Sequence, residues 1–218
     1  MVLGFGKKFL FIHIPKCAGD SVREILLSPE NGGERFLGKH AGYRAAEKAM
    51  EGEIERFTVF AVVRNPFDQA VSFYKHLRKP LHMSATEIDQ RYPGYDGRLL
   101  PLWASELAMT VSFPEFVRDV YAVADDSRDQ AHWFRDSLDW LVSSKGDVAV
   151  NRVLRFENLR ADFSKFADEL GLVGELPIRG ASFPLRREVD YRELYDDEAR
   201  RIIEERFAPT LQKFGYRF

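Results

Sequence analysis

The strongest pattern in the chain is an almost unbroken apolar run at residues 57–63, which read FTVFAVV. β-branched and aromatic side chains without polar alternation are typical of a strand whose two faces are both covered by helices. A second run, FLFIHI at residues 9–14, ends at Pro15. Helical periodicity follows each run, and strands alternating with helices predict a three-layer α/β fold with a central, mainly parallel sheet flanked by helices.

The remaining segments carry weaker signals. Ser112 and Glu115 form a capping-box pattern ahead of an apolar helix pattern, and Gly171 follows a helical stretch that it is suited to end. Further elements are predicted as helices at residues 21–27, 43–50, 66–77, 162–170 and 196–214, and as strands at residues 34–37 and 148–156. Residues 79–100 show no sustained period and contain several Pro and Gly, so they are predicted to form a surface excursion.

Length and charge narrow the class of protein. The chain has 218 residues, which favours one domain spanning 1–218. Lys and Arg number 32 against 34 Asp and Glu, so no global charge draws the protein to nucleic acid or to an acidic membrane. No apolar run is long enough to span a membrane. Cys17 is the only cysteine, which excludes an internal disulfide and fits a reducing, cytoplasmic location.

The first candidate site is the loop between the first predicted strand and helix, where residues 15–21 read PKCAGDS. Backbone N–H groups at a helix start attract anions, and Gly19 is expected to let the backbone approach a phosphate closely. The loop is not a Walker A motif, because Lys16 precedes the glycine. The alternative is an ordinary turn in which Asp20 or Ser21 caps the helix.

The second candidate site follows the strongest strand. Arg64 lies at its carboxyl end, and Ser72 lies about two turns into the next predicted helix. A guanidinium fork with a hydroxyl is suitable chemistry for a phosphate. The alternative is that Arg64 pairs with Asp68 and that the Ser72 hydroxyl bonds to its own helix.

Together the two segments resemble the cofactor motifs of the sulfotransferases that use 3'-phosphoadenosine 5'-phosphosulfate (PAPS). The resemblance is to the carbohydrate and bacterial branch, with its I-P-K-x-A-G-x-S and R-N-P-x5-S-x-Y patterns, and it continues through residues 155–159 and 195–216. It implies a P-loop-like fold and a sulfuryl transfer from PAPS to a hydroxyl. By the same resemblance, the 5'-phosphosulfate loop comprises Lys16, Cys17, Ala18, Gly19, Asp20 and Ser21, and the 3'-phosphate site comprises Arg64 and Ser72.

The resemblance also implies a role for three further features. Lys16 is expected to offset negative charge on the leaving oxygen, with no metal required. A basic loop containing Arg186 is expected to close over the 3'-phosphate. The family usually has Thr where this chain has Asp20, so this carboxylate must point away from a bound phosphate or meet a cation.

The acceptor hydroxyl needs a general base. His40 is the preferred candidate, because imidazole titrates near neutrality and because Lys39 and His40 follow a predicted strand. Glu157 is the second catalytic candidate, with an organising role as its alternative. His13 lies within a predicted strand and is expected to be a hydrogen-bonded core residue. Cys17 is expected to be a small packing residue.

Two rival functions remain open at this point. One is a nucleotide-dependent kinase, which the missing Walker A order disfavours. The other is a non-catalytic binding module with the same fold. The acceptor is expected to be a small molecule or glycan bearing a hydroxyl, with a carbohydrate preferred from the resemblance, and the residues do not indicate an oligomeric state.

Overall fold

A computed structural model describes residues 1–78, 102–123, 131–177 and 190–218 of the chain. Within these ranges, five strands form one sheet, and the prediction of an α/β fold is confirmed. The strands are β1 (Val2–Gly4), β2 (Phe9–Ile12), β3 (Gly33–Arg35), β4 (Thr58–Val63) and β5 (Arg152–Arg155), in the spatial order β3-β1-β2-β4-β5.

The part of the sheet that carries the candidate sites is parallel. β2 pairs in parallel with β4, and β4 pairs in parallel with β5, so the carboxyl ends of all three strands lie at one edge. Every residue of β2 is buried, as are all but the first of β4. This burial explains why the two apolar runs lack polar alternation.

The other two strands form antiparallel pairs. β1 pairs with β2 in a hairpin, and β3 pairs with β1 on its other side. No strand is predicted before residue 9, because a strand of only three residues, Val2–Gly4, has too few positions for a periodic pattern. The predicted strand at residues 34–37 corresponds to β3, which begins and ends slightly earlier.

Most predicted helices are present, with shifted ends. The helices are α1 (Gly19–Leu26), α2 (Tyr43–Ala49), α3 (Pro66–Leu77), α4 (Leu102–Thr110), α5 (Phe113–Phe116), α6 (Leu159–Leu170), α7 (Asp197–Arg206) and α8 (Ala208–Phe214). The capping box of Ser112 and Glu115 is formed at the start of α5. Gly171 ends α6 in the left-handed conformation, with φ 62°, as its position in the sequence predicts.

The prediction of one long helix at residues 196–214 is wrong. The structure divides it into α7 and α8, with Phe207 between them. Pro209 stands at the start of α8 and has no N–H to donate to a carbonyl one turn earlier, so the helical hydrogen bonds cannot continue through this point.

The chain divides into two compact units. The first unit comprises Met1–Asn65 and Asp136–Arg187, and the second comprises Pro66–Arg135 and Glu188–Phe218. The first contains the sheet and a core of strand and helix side chains, in which the Phe60 and Phe166 rings lie 4.5 Å apart. The second contains an aromatic core that includes Phe73, Phe116 and Phe134, all at most 1% exposed. The prediction of one domain over 1–218 stays a prediction.

Candidate active site

The loop between β2 and α1 has an unusual backbone. Lys16 and Ala18 both take positive φ angles, 63° and 56°, which side-chain-bearing residues adopt at a cost of about 1–3 kcal/mol each. Cys17 between them does not, so the sign of φ alternates along the loop. Such alternation turns successive N–H groups toward one concave side, which is an arrangement that binds anions. The strain is therefore located where the sequence predicts an anion site.

The start of α1 differs from the alternative of an ordinary capped turn. Helix α1 begins at Gly19, and Ala18 is its N-cap residue with no side-chain hydrogen bond. The alternative, in which Asp20 or Ser21 caps the helix, is therefore wrong. Ser21 is buried within the first turn, and its N–H donates to the Ala18 carbonyl at 3.1 Å.

Gly19 is required for a reason other than the predicted one. A Cβ built on Gly19 would lie 1.9 Å from Cδ2 and 2.0 Å from Nε2 of His13. The space left by the missing side chain thus holds the His13 ring, whereas the sequence analysis assigned it to an approaching phosphate. A ring at the end of β2 and a loop backbone at the start of α1 are in direct contact as a result.

Cys17 is a packing residue, as predicted. Its side chain is 1% exposed, and its Sγ lies 3.5 Å from the Pro15 carbonyl oxygen. Burial raises the pKa of the thiol to about 12, and the nearby Arg64 only partly offsets this effect. The group is therefore a protonated thiol at neutral pH and is not a nucleophile.

Arg64 joins the end of β4 to the loop. Its Nη1 donates to the Lys16 carbonyl oxygen at 3.0 Å, and its guanidinium carbon lies 3.9 Å from the centre of the Phe156 ring. A guanidinium over an aromatic face is worth about 0.5–1 kcal/mol at exposed sites. These two contacts hold the planar fork beside the loop. The Phe156 ring that supports this arginine is half-buried.

Glu157 makes a contact that organises the same edge. Its Oε1 accepts a hydrogen bond of 2.7 Å from the backbone N–H of Asn65. This bond joins the segment after β5 to the segment after β4. Of the two roles left open for Glu157, the contact favours the organising one.

His40 is held on two sides. Its Nδ1 lies 2.8 Å from the His13 carbonyl oxygen, and its own carbonyl accepts a hydrogen bond of 3.1 Å from Trp140 Nε1. A carbonyl can only accept, so in neutral His40 the proton is on Nδ1 and the lone pair is on Nε2. The ring is half-buried, and its centre lies 4.7 Å from the centre of the His13 ring.

Asp20 meets a cation, as the sequence analysis requires of it. Its Oδ1 lies 2.9 Å from Lys39 Nζ and 3.4 Å from Arg23 Nη1. Partial loss of hydration alone would raise the pKa of Asp20, but Lys39, His13 and Arg23 outweigh it and hold the pKa well below its usual value. The carboxylate is charged and paired, and it ties α1 to the segment that carries His40.

The predicted residues are distributed unevenly between the two units. The first unit contains Lys16, Asp20, His40, Arg64 and Glu157, all on segments that follow a strand. Ser72 is half-buried in α3 of the second unit, so its joint use with Arg64 stays a prediction. Arg186 lies outside the described residues.

Two positions beside the candidate site were not assigned to it by sequence reasoning. Lys39 was noted only as the neighbour of His40, and its pairing with Asp20 has no sequence signal beyond opposite charge. His13 was assigned to the core. It is buried, at 3% exposure, but its Nδ1 has no hydrogen-bond partner among the described residues, so the expectation of a hydrogen-bonded core histidine is not met at that atom.

The α/β fold thus carries a loop that is strained at Lys16 and Ala18, and His40 lies beside the end of β2. Comparison with protein families identifies the class: the profile of the sulfotransferase family matches residues 6–217, and the chain belongs to that family. It is therefore a transferase that moves a sulfuryl group. Comparison with curated proteins and with solved structures gives no match.

Two further observations concern the described ranges alone. No helix in them is long and apolar enough to cross a membrane. No group of three or more His, Cys, Asp or Glu side chains in them is arranged to hold a metal ion.

Proposed function

We propose that the protein transfers the sulfuryl group of PAPS to a hydroxyl of an acceptor, with a glycan as the preferred acceptor class. One observation carries the donor assignment. The loop is strained at Lys16 and Ala18, its Lys16 carbonyl accepts a hydrogen bond from Arg64, and it continues directly into α1. Concave N–H groups, a lysine and an arginine fit a donor that bears several phosphate and sulfate charges. The pairing of Asp20 with Lys39 reduces the repulsion that its carboxylate would exert on such a donor.

The proposal assigns the loop from Lys16 to Ser21 to the 5'-phosphosulfate, and Arg64, Ser72 and Arg186 to the 3'-phosphate. When bound, PAPS supplies an activated sulfuryl group and leaves as adenosine 3',5'-bisphosphate. The Lys16 ammonium offsets negative charge beside the loop, where the helix dipole of α1 acts in the same direction. Arg64 orients the 3'-phosphate through its planar guanidinium fork.

His40 acts as the general base in this proposal. Because its Nδ1 donates to the His13 carbonyl, its Nε2 lone pair is the one that takes the proton from the acceptor hydroxyl. Glu157 supports the site through its bond to the Asn65 N–H and is not required to move a proton. No metal is assigned a part.

The donor class is tested by thermal unfolding with adenosine 3',5'-bisphosphate, with ADP, and with ATP plus magnesium. At about a hundred times the dissociation constant, the bisphosphate is expected to raise Tm by about 5–10 °C for a chain of this size. Arg64→Ala is expected to reduce the shift to about half or less, because charge-assisted hydrogen bonds are worth about 1.5–3 kcal/mol each. The matched control is Arg152→Ala, which removes an exposed arginine of β5 and should leave the shift intact.

Transfer is then measured with labelled PAPS and three acceptor classes: a neutral oligosaccharide, a polysaccharide containing uronic acids, and a simple phenol. Incorporation of label into a saccharide, lost in His40→Ala, is the expected result. Stabilisation by ATP with magnesium would favour a kinase instead. Binding of the bisphosphate without transfer to any acceptor would favour the non-catalytic binding module.

A further inference from the structure

His13 occupies a position that neither the proposed donor site nor the proposed base accounts for. Its backbone carbonyl accepts the Nδ1–H of His40, and its imidazole centre lies 4.7 Å from that of His40. One residue therefore contacts the proposed base through both its backbone and its side chain. The contact through the backbone needs no particular side chain, whereas the contact through the ring does.

The His13 ring also contacts the loop. Its Cδ2–Nε2 edge fills the volume that a Gly19 side chain would occupy, at distances that no Cβ could share. The His13 ring thus contacts both the Gly19 backbone and the His40 ring. Because the ring is only 3% exposed and closely packed, a shift of either neighbour is passed on to it.

We propose that the imidazole of His13 is a positioning residue for His40, which keeps the ring of the proposed base in one orientation relative to the loop. This inference rests on the proposed function, because it concerns the same base. It assigns His13 no contact with donor or acceptor.

The groups around His13 favour the uncharged form of its imidazole. Burial, His40, Lys39 and Arg23 lower the pKa of His13 well below the usual value, and Asp20 opposes them only in part. The ring nitrogen Nδ1 also lacks an acceptor among the described residues, so a proton added there would have no partner. The imidazole therefore stays uncharged through the pH range in which a base near neutrality titrates.

The test begins with the tautomer of His40, which can be measured without an acceptor. In the full chain labelled with ¹⁵N-histidine, NMR should show His40 with its proton on Nδ1. His13→Leu retains the carbonyl but removes the ring, and we expect His40 to populate both tautomers in this variant. Ile12→Val, a change in the same buried strand, is the control and should preserve the wild-type tautomer.

The second readout separates positioning from general loss of structure. With an acceptor from the panel above, or with water if none is sulfated, His13→Leu should lower the turnover rate about tenfold to a hundredfold, as misplacement of a catalytic group does. Its effect on KM for PAPS should be smaller. In the His40→Ala background, the same change should cost less than about twofold, because the residue being positioned is gone.

An unchanged His40 tautomer in His13→Leu, or an equal loss of rate in both backgrounds, would overturn the inference. If His13→Leu does not fold, His13→Gln decides by the same two criteria. Unchanged transfer in His40→Ala would instead refute the proposed base, and the tautomer measurement would still decide whether His13 orients the His40 ring.

Discussion

Lys16 combines a backbone constraint with a proposed chemical role. Its φ of 63° is unfavourable for Lys and Ala alike, so Lys16→Ala removes the ammonium with little change in the backbone preference. We expect this variant to lower turnover about 10²–10³-fold, as loss of one charge-stabilising group does. Binding of adenosine 3',5'-bisphosphate, measured by calorimetry, should weaken far less.

The control for that comparison is Lys48→Ala, which removes an exposed lysine from the last turn of α2. It should alter neither quantity. Equal losses of turnover and of product binding in Lys16→Ala would contradict its assignment to the transition state.

Cys17 provides a pH prediction at the same scale. Because burial raises the thiol pKa to about 12, the reactive thiolate is rare in the folded protein at pH 8. Alkylation by iodoacetamide should be about a thousandfold slower than in the unfolded chain, where thiols titrate near pH 8.5. The folded state holds this proton more tightly than the unfolded chain does. The free energy of unfolding should therefore fall as pH rises above about 9. Rapid labelling of the native protein, followed by mass spectrometry, would contradict the burial.

An ion pair between Asp20 and Lys39 links α1 to the segment before α2. Asp20 and Lys39 have side chains that are 67% and 44% exposed, so breaking the pair should cost less than about 1 kcal/mol of stability. Asp20→Asn should nevertheless tighten binding of adenosine 3',5'-bisphosphate severalfold at low salt, because it removes a negative charge beside the loop and leaves Lys39 charged.

That gain should shrink at high salt, where exposed charges are screened. Titration calorimetry at about 50 and 300 mM salt measures the gain in affinity at each concentration. The Debye lengths at these concentrations lie on either side of about 10 Å. Glu24→Gln, an exposed change on the same helix, is the matched control. Weaker binding by Asp20→Asn would mean that the carboxylate supports the loop more than it repels the ligand.

At the scale of the whole molecule, the described parts of the proposed site lie mostly in the first unit. Hydrogen exchange with and without adenosine 3',5'-bisphosphate should therefore show added protection at residues 15–21 and around Arg64. Strands β2 and β4 should change little, because their amides are already bonded in the sheet. Added protection confined to the second unit would contradict the donor site.

The class of fold was predictable because it depends on short-range patterns. The runs that became β2 and β4 are apolar throughout, since both faces of these strands are covered, and that property is written in consecutive residues. The ends of elements were less predictable. The break at Phe207 depends on Pro209, which a periodic apolar pattern does not register.

For the candidate site, the sequence selected residues but did not indicate the contacts between them. Motif spacing selected Lys16, Arg64 and His40, because each follows a strand that ends at the same edge of the sheet. The sequence did not indicate that Gly19 makes room for His13, or that Asp20 faces Lys39. These contacts join segments 6 to 19 residues apart, and their geometry is set by how the loop packs.

By itself, the sequence determined the α/β class and the membership in a sulfotransferase family, because both depend on residue order. Only the tertiary structure decided which groups of the candidate site meet. In the folded protein, the His13 ring fills the space beside Gly19, the proton of His40 is on Nδ1, and Asp20 pairs with Lys39. The physical reason is that hydrogen bonds and close packing depend on distances between segments, which only folding establishes.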